Sequence, residues 1–191
     1  MGKAFQHFKT ITRHRHEVIR NCKRAGIFWQ GLRHDLSKYS PTEFLQGAKY
    51  WQGTRSPNDR EREVKGYSDA WMHHKGRNRH HFEYWTDYSP IDKVVRPVEM
   101  PLRYVAEMFC DRVAASKIYM GENYTDRSPL EYFERGKHRR VARIHDKTSD
   151  LIEKMLTVLA DEGEDAAFAY IRGLLKEEKK AQIAIASCNN F

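Results

Sequence analysis

The stretch GLRHDLSKYSPTEF, residues 31–44, sets His34 directly before Asp35, with Lys38 one helical turn further on. A core helix would exclude these three groups and a surface helix would scatter them, so their proximity asks for a compensating partner. Neutral imidazole beside carboxylate suits a divalent cation such as Zn²⁺, Mn²⁺ or Fe²⁺. Neighbouring positions on a helix would let His34 and Asp35 flank one ion from its edge. Lys38, at i+4 from His34 and i+3 from Asp35, projects toward the same place. There it would hold an anion against the metal.

Other polar residues break helical patterning in a way that fits this centre. His14 falls on the apolar face of a first helix with Ile11, Val18 and Cys22, whereas His16 shares a face with Lys9, Arg20 and Lys23. His14 is therefore the inward candidate and His16 the surface one. Asp111, in YVAEMFCDRVAAS, aligns with Tyr104, Met108, Ala115 and Ile118. An unpaired carboxylate there carries a heavy desolvation cost and needs a cation; Arg112 points to another face of its own helix, so a metal fits better. Glu107, one turn before Asp111, shares its face and is a candidate proton acceptor for a metal-bound water.

The densest stretch is WMHHKGRNRHHFEYW, residues 71–85. A break near Gly76 and Asn78 would let His74 and His80 or His81 curl around one centre, with His73 behind them. Lys75, Arg77 and Arg79 surround the cluster with positive charge, and Arg77 and Arg79 are candidate phosphate-recognition residues. Asn78 and Glu83 are candidate orienters of the imidazole N–H groups.

The elements that must position these residues read as helices almost throughout. Helical spacing predicts a first helix from Ala4 to Ala25 with Gly26 as its stop, and a second from Phe28 to Lys38 ended by YSP. Ser40, Pro41 and Glu43 form a capping box that starts a third helix. A loop at 52–59, a long polar helix from Arg60 to Lys75 and a short helix capped by Asn78 follow. A connector at 86–97 leads to an apolar helix over 102–119, and SPLEYFERG starts another with the same Ser-Pro signal. Two closing helices, 144–161 and 163–185, carry no ligand-like cluster and read as packing elements. The expected fold class is all-α, a helical bundle in a single domain over 1–191, with the metal-binding core at about 8–118 and accessory helices beyond it.

The ordered set His14, His34-Asp35, Lys38, His74, His80-His81 and Asp111 resembles the HD-domain superfamily of metal-dependent phosphohydrolases, whose signature is a separated H…HD…D on helices. HRHEV resembles its first-helix pattern, and HDLSK resembles the HDIGK of the two-metal phosphodiesterase branch. HDLSKYSPTEF with HHFEYW and EMFCD looks more narrowly like an uncharacterised HD-related family of bacteria and phages. No Gly-Tyr-Pro element of the cyclic-dinucleotide enzymes is present. The resemblance implies an HD-like bundle in which His14, His34, Asp35 and Asp111 hold one divalent ion (Mn, Fe, Zn, Co or Ni). Asp35 would then bridge to a second ion on His74, His80 and His81. The implied reaction is hydrolysis of a small phosphorylated substrate, such as a nucleotide, by a metal-activated water. Related helical scaffolds instead use similar ligands for a di-iron centre that activates oxygen.

With 191 residues and a formal charge of +8, the chain favours anionic partners, phosphorylated metabolites or nucleic acid. A non-catalytic, metal-stabilised nucleic-acid-binding or phage accessory protein is the third expectation. Cys22, Cys110 and Cys188 lie far apart without a CxxC pair, which argues against a disulfide framework and for a reducing, cytoplasmic setting. No apolar run is long enough to span a bilayer, and no membrane partner is expected.

Overall fold

The long first helix, α1 (Lys3–Ala25), shows how the chain builds around its polar residues: one side buries His7, Ile11, His14, Val18, Asn21, Cys22 and Ala25. Those positions recur at three- and four-residue spacing, so one stripe carries both apolar packing and the inward imidazole. Gly26 ends α1 in the left-handed region (φ 83°), its N–H bonded to the Cys22 and Lys23 carbonyls. The computed structural model describes residues 2–137 and 144–188.

After α1 come the single turn α2 (Phe28–Gly31), α3 (Pro41–Tyr50), α4 (Pro57–Lys65) and α5 (Asp69–Lys75). An antiparallel hairpin follows, β1 (Thr86–Ser89) paired with β2 (Val94–Pro97). The chain closes with α6 (Leu102–Met120), α7 (Ser128–Lys137) and α8 (Asp146–Cys188), the last broken at Gly163 where φ is 83° and ψ 176°. The fold is all-α apart from that exposed hairpin, and the break at Gly163 yields the two closing helices the sequence predicts.

The expected helix over Phe28–Lys38 does not form. It stops at Gly31, Asp35 adopts a left-handed backbone (φ 54°), and a 3₁₀ turn covers Leu36–Tyr39. Arg15 of α1 explains the interruption: its guanidinium donates to the Leu32 carbonyl at 2.5 Å and the His34 carbonyl at 3.2 Å. Those carbonyls are taken from any helical partner, and aspartate tolerates the left-handed conformation better than most residues. The expected Arg60–Lys75 helix is likewise two helices, because Gly66 caps α4 with φ 85° and Ser68 caps α5 by accepting from the Trp71 N–H. The 86–97 connector is the hairpin; its valines are exposed, so no alternating pattern marks it.

One hydrophobic core joins α1, α6 and α8. Val18, Cys22 and Ala25 meet Val105, Phe109, Cys110 and Val113, and α8 adds Ile152, Met155, Leu156, Leu159, Phe168 and Ile171. The closing helices thus serve as packing elements, and ion pairs from Arg24 to Glu164 and Asp165 tie α8 to α1. Among the described residues no helix is long and apolar enough to cross a membrane.

Candidate metal centre

The site forms where α1, the Arg15-pinned turn, α5 with its following loop, and α6 come together. Asp35 lies at its middle. Its Oδ2 is 3.2 Å from His34 Nε2, 3.8 Å from His14 Nε2 and 2.5 Å from Lys38 Nζ. Its Oδ1 is 3.3 Å from His74 Nε2 and 3.5 Å from His80 Nε2. Asp111 reaches in from α6, with Oδ1 2.9 Å from His14 Nε2 and 3.6 Å from His34 Nε2. His81 Nε2 lies 2.9 Å from His74 Nε2. Two sets share Asp35, one of His14, His34, Asp35 and Asp111 and the other of Asp35, His74, His80 and His81. Within each, the donor atoms lie no more than 4.8 Å from one another.

These short separations are not hydrogen bonds. The Nε2 atoms of His14, His34 and His80 and both carboxylate oxygens of Asp35 are buried without a hydrogen-bond partner. Leaving that many buried polar atoms unsatisfied is costly, and a divalent cation would satisfy them together. The opposite ring nitrogens are fully engaged. Glu107 Oε1 accepts from His34 Nδ1 at 2.9 Å and lies 3.3 Å from His80 Nδ1, while Gln30 donates to its Oε2 at 2.5 Å. Glu43 accepts from His74 Nδ1 at 2.7 Å and from His73 Nδ1 at 2.6 Å. A carboxylate behind the ring places the proton on Nδ1 and leaves the Nε2 lone pair facing inward, the arrangement a metal-binding histidine needs.

The charges agree with this geometry. Burial alone would raise the Asp35 carboxyl, yet His34, Lys38 and His74 hold it well below the usual carboxylate range. Burial is likewise outweighed at Asp111, by His14 and His34 foremost. Burial and the Lys38 charge push the His14 imidazole down. Burial, His80 and His74 push His81 well down. At His34 the balance reverses: burial is overcome by Asp35, Asp111 and Glu107, and the imidazole rises well above its ordinary value. Two ionised aspartates therefore attract positive charge to the point where the rings meet, and Lys38, kept protonated by Asp35 and Asp111 against its burial, supplies part of it.

The chain matches a family of unknown function (DUF5662) over residues 3–158. It belongs to that family. The matched span of this DUF5662 member contains every residue of the centre. No curated protein and no solved structure matches the chain.

Of the residues singled out from the sequence, His14, His34, Asp35, His74, His80, His81, Asp111 and Lys38 come together, and His16 does not join them. Glu107, expected to accept a proton from water, instead spends its carboxylate on two imidazoles and Gln30, and that contact draws it down to about 2 against burial. Arg77 and Arg79 do not reach the centre. Arg77 donates to the His73 carbonyl, and Arg79 stacks on Tyr84 and Tyr104 at 5.6 and 5.9 Å. The cause is local: Asn78 donates to the His74 carbonyl and Ser37 Oγ, which turns positions 78 and 80 inward and 77 and 79 outward. Asn78 thus braces the His74 segment and does not cap a helix. Glu83, expected behind an imidazole, has a buried Oε2 with no partner. Arg127 lies away from the site, facing Asp161.

Sequence reasoning missed Glu43, Gln30 and Arg15. Glu43 was legible only as half of a capping box. Its N–H does meet Ser40 Oγ at 3.4 Å, but its carboxylate turns to His73 and His74 instead of back to the cap.

Proposed function

We propose that this DUF5662 member is a metal-dependent phosphohydrolase resembling the HD superfamily, with two divalent ions sharing Asp35 and a phosphate ester as substrate. The observation that carries the reading is the convergence of buried, unpartnered Nε2 and carboxylate atoms on a shared aspartate, each engaged ring backed by an acid. His14, His34, Asp35 and Asp111 would hold one ion, and Asp35, His74, His80 and His81 the other. Such ions supply Lewis acidity, bringing bound water toward ionisation near neutral pH and drawing charge from a phosphoryl oxygen. The chain does the rest. Glu107 and Glu43 fix the ring tautomers, and Lys38 neutralises charge on phosphoryl oxygens at the edge of the site. The buried walls keep water from the remaining polar atoms.

Elemental analysis of the purified chain tests the metal, and a screen of nucleotides and phosphate esters with Mn²⁺, Co²⁺ or Fe²⁺ tests the reaction. His34→Ala and Asp35→Asn should each lose metal and hydrolysis together; full metal retention in both variants would remove the proposed site. The ligand count, four or five imidazoles with two aspartates, equally suits an oxygen-activating di-iron centre. Turnover that needs both iron and oxygen, with no anaerobic hydrolysis, would replace the hydrolase reading.

A further inference from the structure

The centre is covered unevenly. His34, Asp35 and His80 are buried, whereas the Asp111 side chain is 17% exposed and that of Lys38 28%. Solvent, and with it any ligand, reaches the ions' place across Asp111 and Lys38.

Arg112 follows Asp111 on α6. Its Nε is buried without a hydrogen-bond partner, and no carboxylate among the described residues lies within ion-pair distance. The guanidinium rests over the Phe133 ring at 5.3 Å, and its only polar neighbour is Met108 Sδ at 4.0 Å. An unpaired buried charge of this kind is expensive and is retained where something outside the fold completes it. Burial pushes the guanidinium down, while Asp111, Tyr132 and Glu83 are close enough to act on it in the opposite sense. Glu83 does not cancel it, since burial raises that carboxyl toward its neutral form. Tyr119, in turn, lies close enough to feel Lys38, Asp111 and Tyr132. Lys38, Tyr119, Tyr132 and Arg112 therefore ring the exposed side of Asp111.

We propose that Arg112 and Lys38 form a two-cation clamp at the rim of the centre that takes a dianionic terminal phosphate, a monoester in preference to an internal diester. The planar guanidinium matches two phosphoryl oxygens while the lysine acts as a point charge. A monoester carries close to two negative charges near neutral pH, because its second pKa is about 6; a diester carries one. The hydrolysis of the clamped ester rests on the phosphohydrolase reading, whereas the anion binding does not.

The test uses the full chain and its Arg112→Met and Arg112→Lys variants. Elemental analysis reads metal content, calorimetric titration with inorganic phosphate is run with and without Mn²⁺, and p-nitrophenyl phosphate is compared with bis(p-nitrophenyl) phosphate. Arg112→Met should keep its metal and melt no lower than the parent, since a buried unpaired charge has gone. It should bind phosphate roughly 10- to 100-fold more weakly and raise KM for the monoester more than for the diester. Arg112→Lys should recover only part of the loss. Unchanged phosphate affinity in metal-loaded Arg112→Met would overturn the clamp, as would a parent protein that prefers the diester. A metal-free parent that still binds phosphate through Arg112 would support the clamp while removing the hydrolase reading.

Discussion

Glu107 offers the sharpest test of the centre because one carboxylate stands behind an imidazole of each ion set. His34 Nδ1 lies 2.9 Å and His80 Nδ1 3.3 Å from the same oxygen. In Glu107→Gln that negative acceptor becomes a neutral amide, and both rings lose the partner that fixes their inward lone pair. Loss of one such outer partner costs about 10- to 100-fold in metal affinity, or roughly 1.4–2.7 kcal/mol. Both ions should weaken by that factor together. Glu43 supports His74 of the second set, and its other partner, His73, belongs to neither. Glu43→Gln should therefore weaken one ion by the same factor and leave the other at its parent affinity. Competition against a chelator of known affinity, with metal counted per chain and circular dichroism monitoring the fold, separates the two outcomes. If folded Glu107→Gln holds both ions as the parent does, or Glu43→Gln loses both equally, the assignment of imidazoles to ions is wrong.

Other perturbations reach the scaffold and the protons. A methyl group in Gly47→Ala would stand 2.2 Å from His7 Nε2 and 2.5 Å from its Cε1, a buried ring with little room to move. That overpacking should cost about 1–3 kcal/mol, read as a lower denaturant midpoint with unchanged slope. Burial, aided by the Lys38 charge, lowers His7 from 6.5 to about 4. The unfolded chain therefore takes up a proton that the folded chain refuses between those values, and stability falls as pH drops through that window and levels off below it. His7→Gln should show a smaller loss over the same range in urea melts. Metal affinity should also fall on acidification, beginning above the usual imidazole range. Protons and metal compete for the His34 ring, and its neighbours raise its affinity for protons; calorimetry across pH reads this directly.

What the sequence disclosed and what it hid divide along a physical line. His14 and Asp111 lie on long regular helices, where spacing alone reports which face a residue occupies, and both were placed correctly. Spacing does not report depth along that face. Glu107 was accordingly put beside the ions when it stands behind their rings. His34 and Asp35 were legible by type, but the turn that presents them depends on Arg15, a contact between distant parts of the chain. The outward turn of Arg77 and Arg79 likewise follows from side-chain bonds made by Asn78, which no periodicity encodes. The hairpin escaped notice because its valines face solvent, and the break between α4 and α5 because the polar pattern runs unbroken across Gly66.

The left-handed backbone at Asp35 bears on how this position tolerates replacement over evolutionary time. Glycine and asparagine would keep the turn yet forfeit the charge, glutamate would keep the charge yet resist the turn, and β-branched residues would lose both. Aspartate alone meets the two demands. Drift at this codon should be almost fully suppressed, while its neighbour Leu36, half exposed, is free to vary.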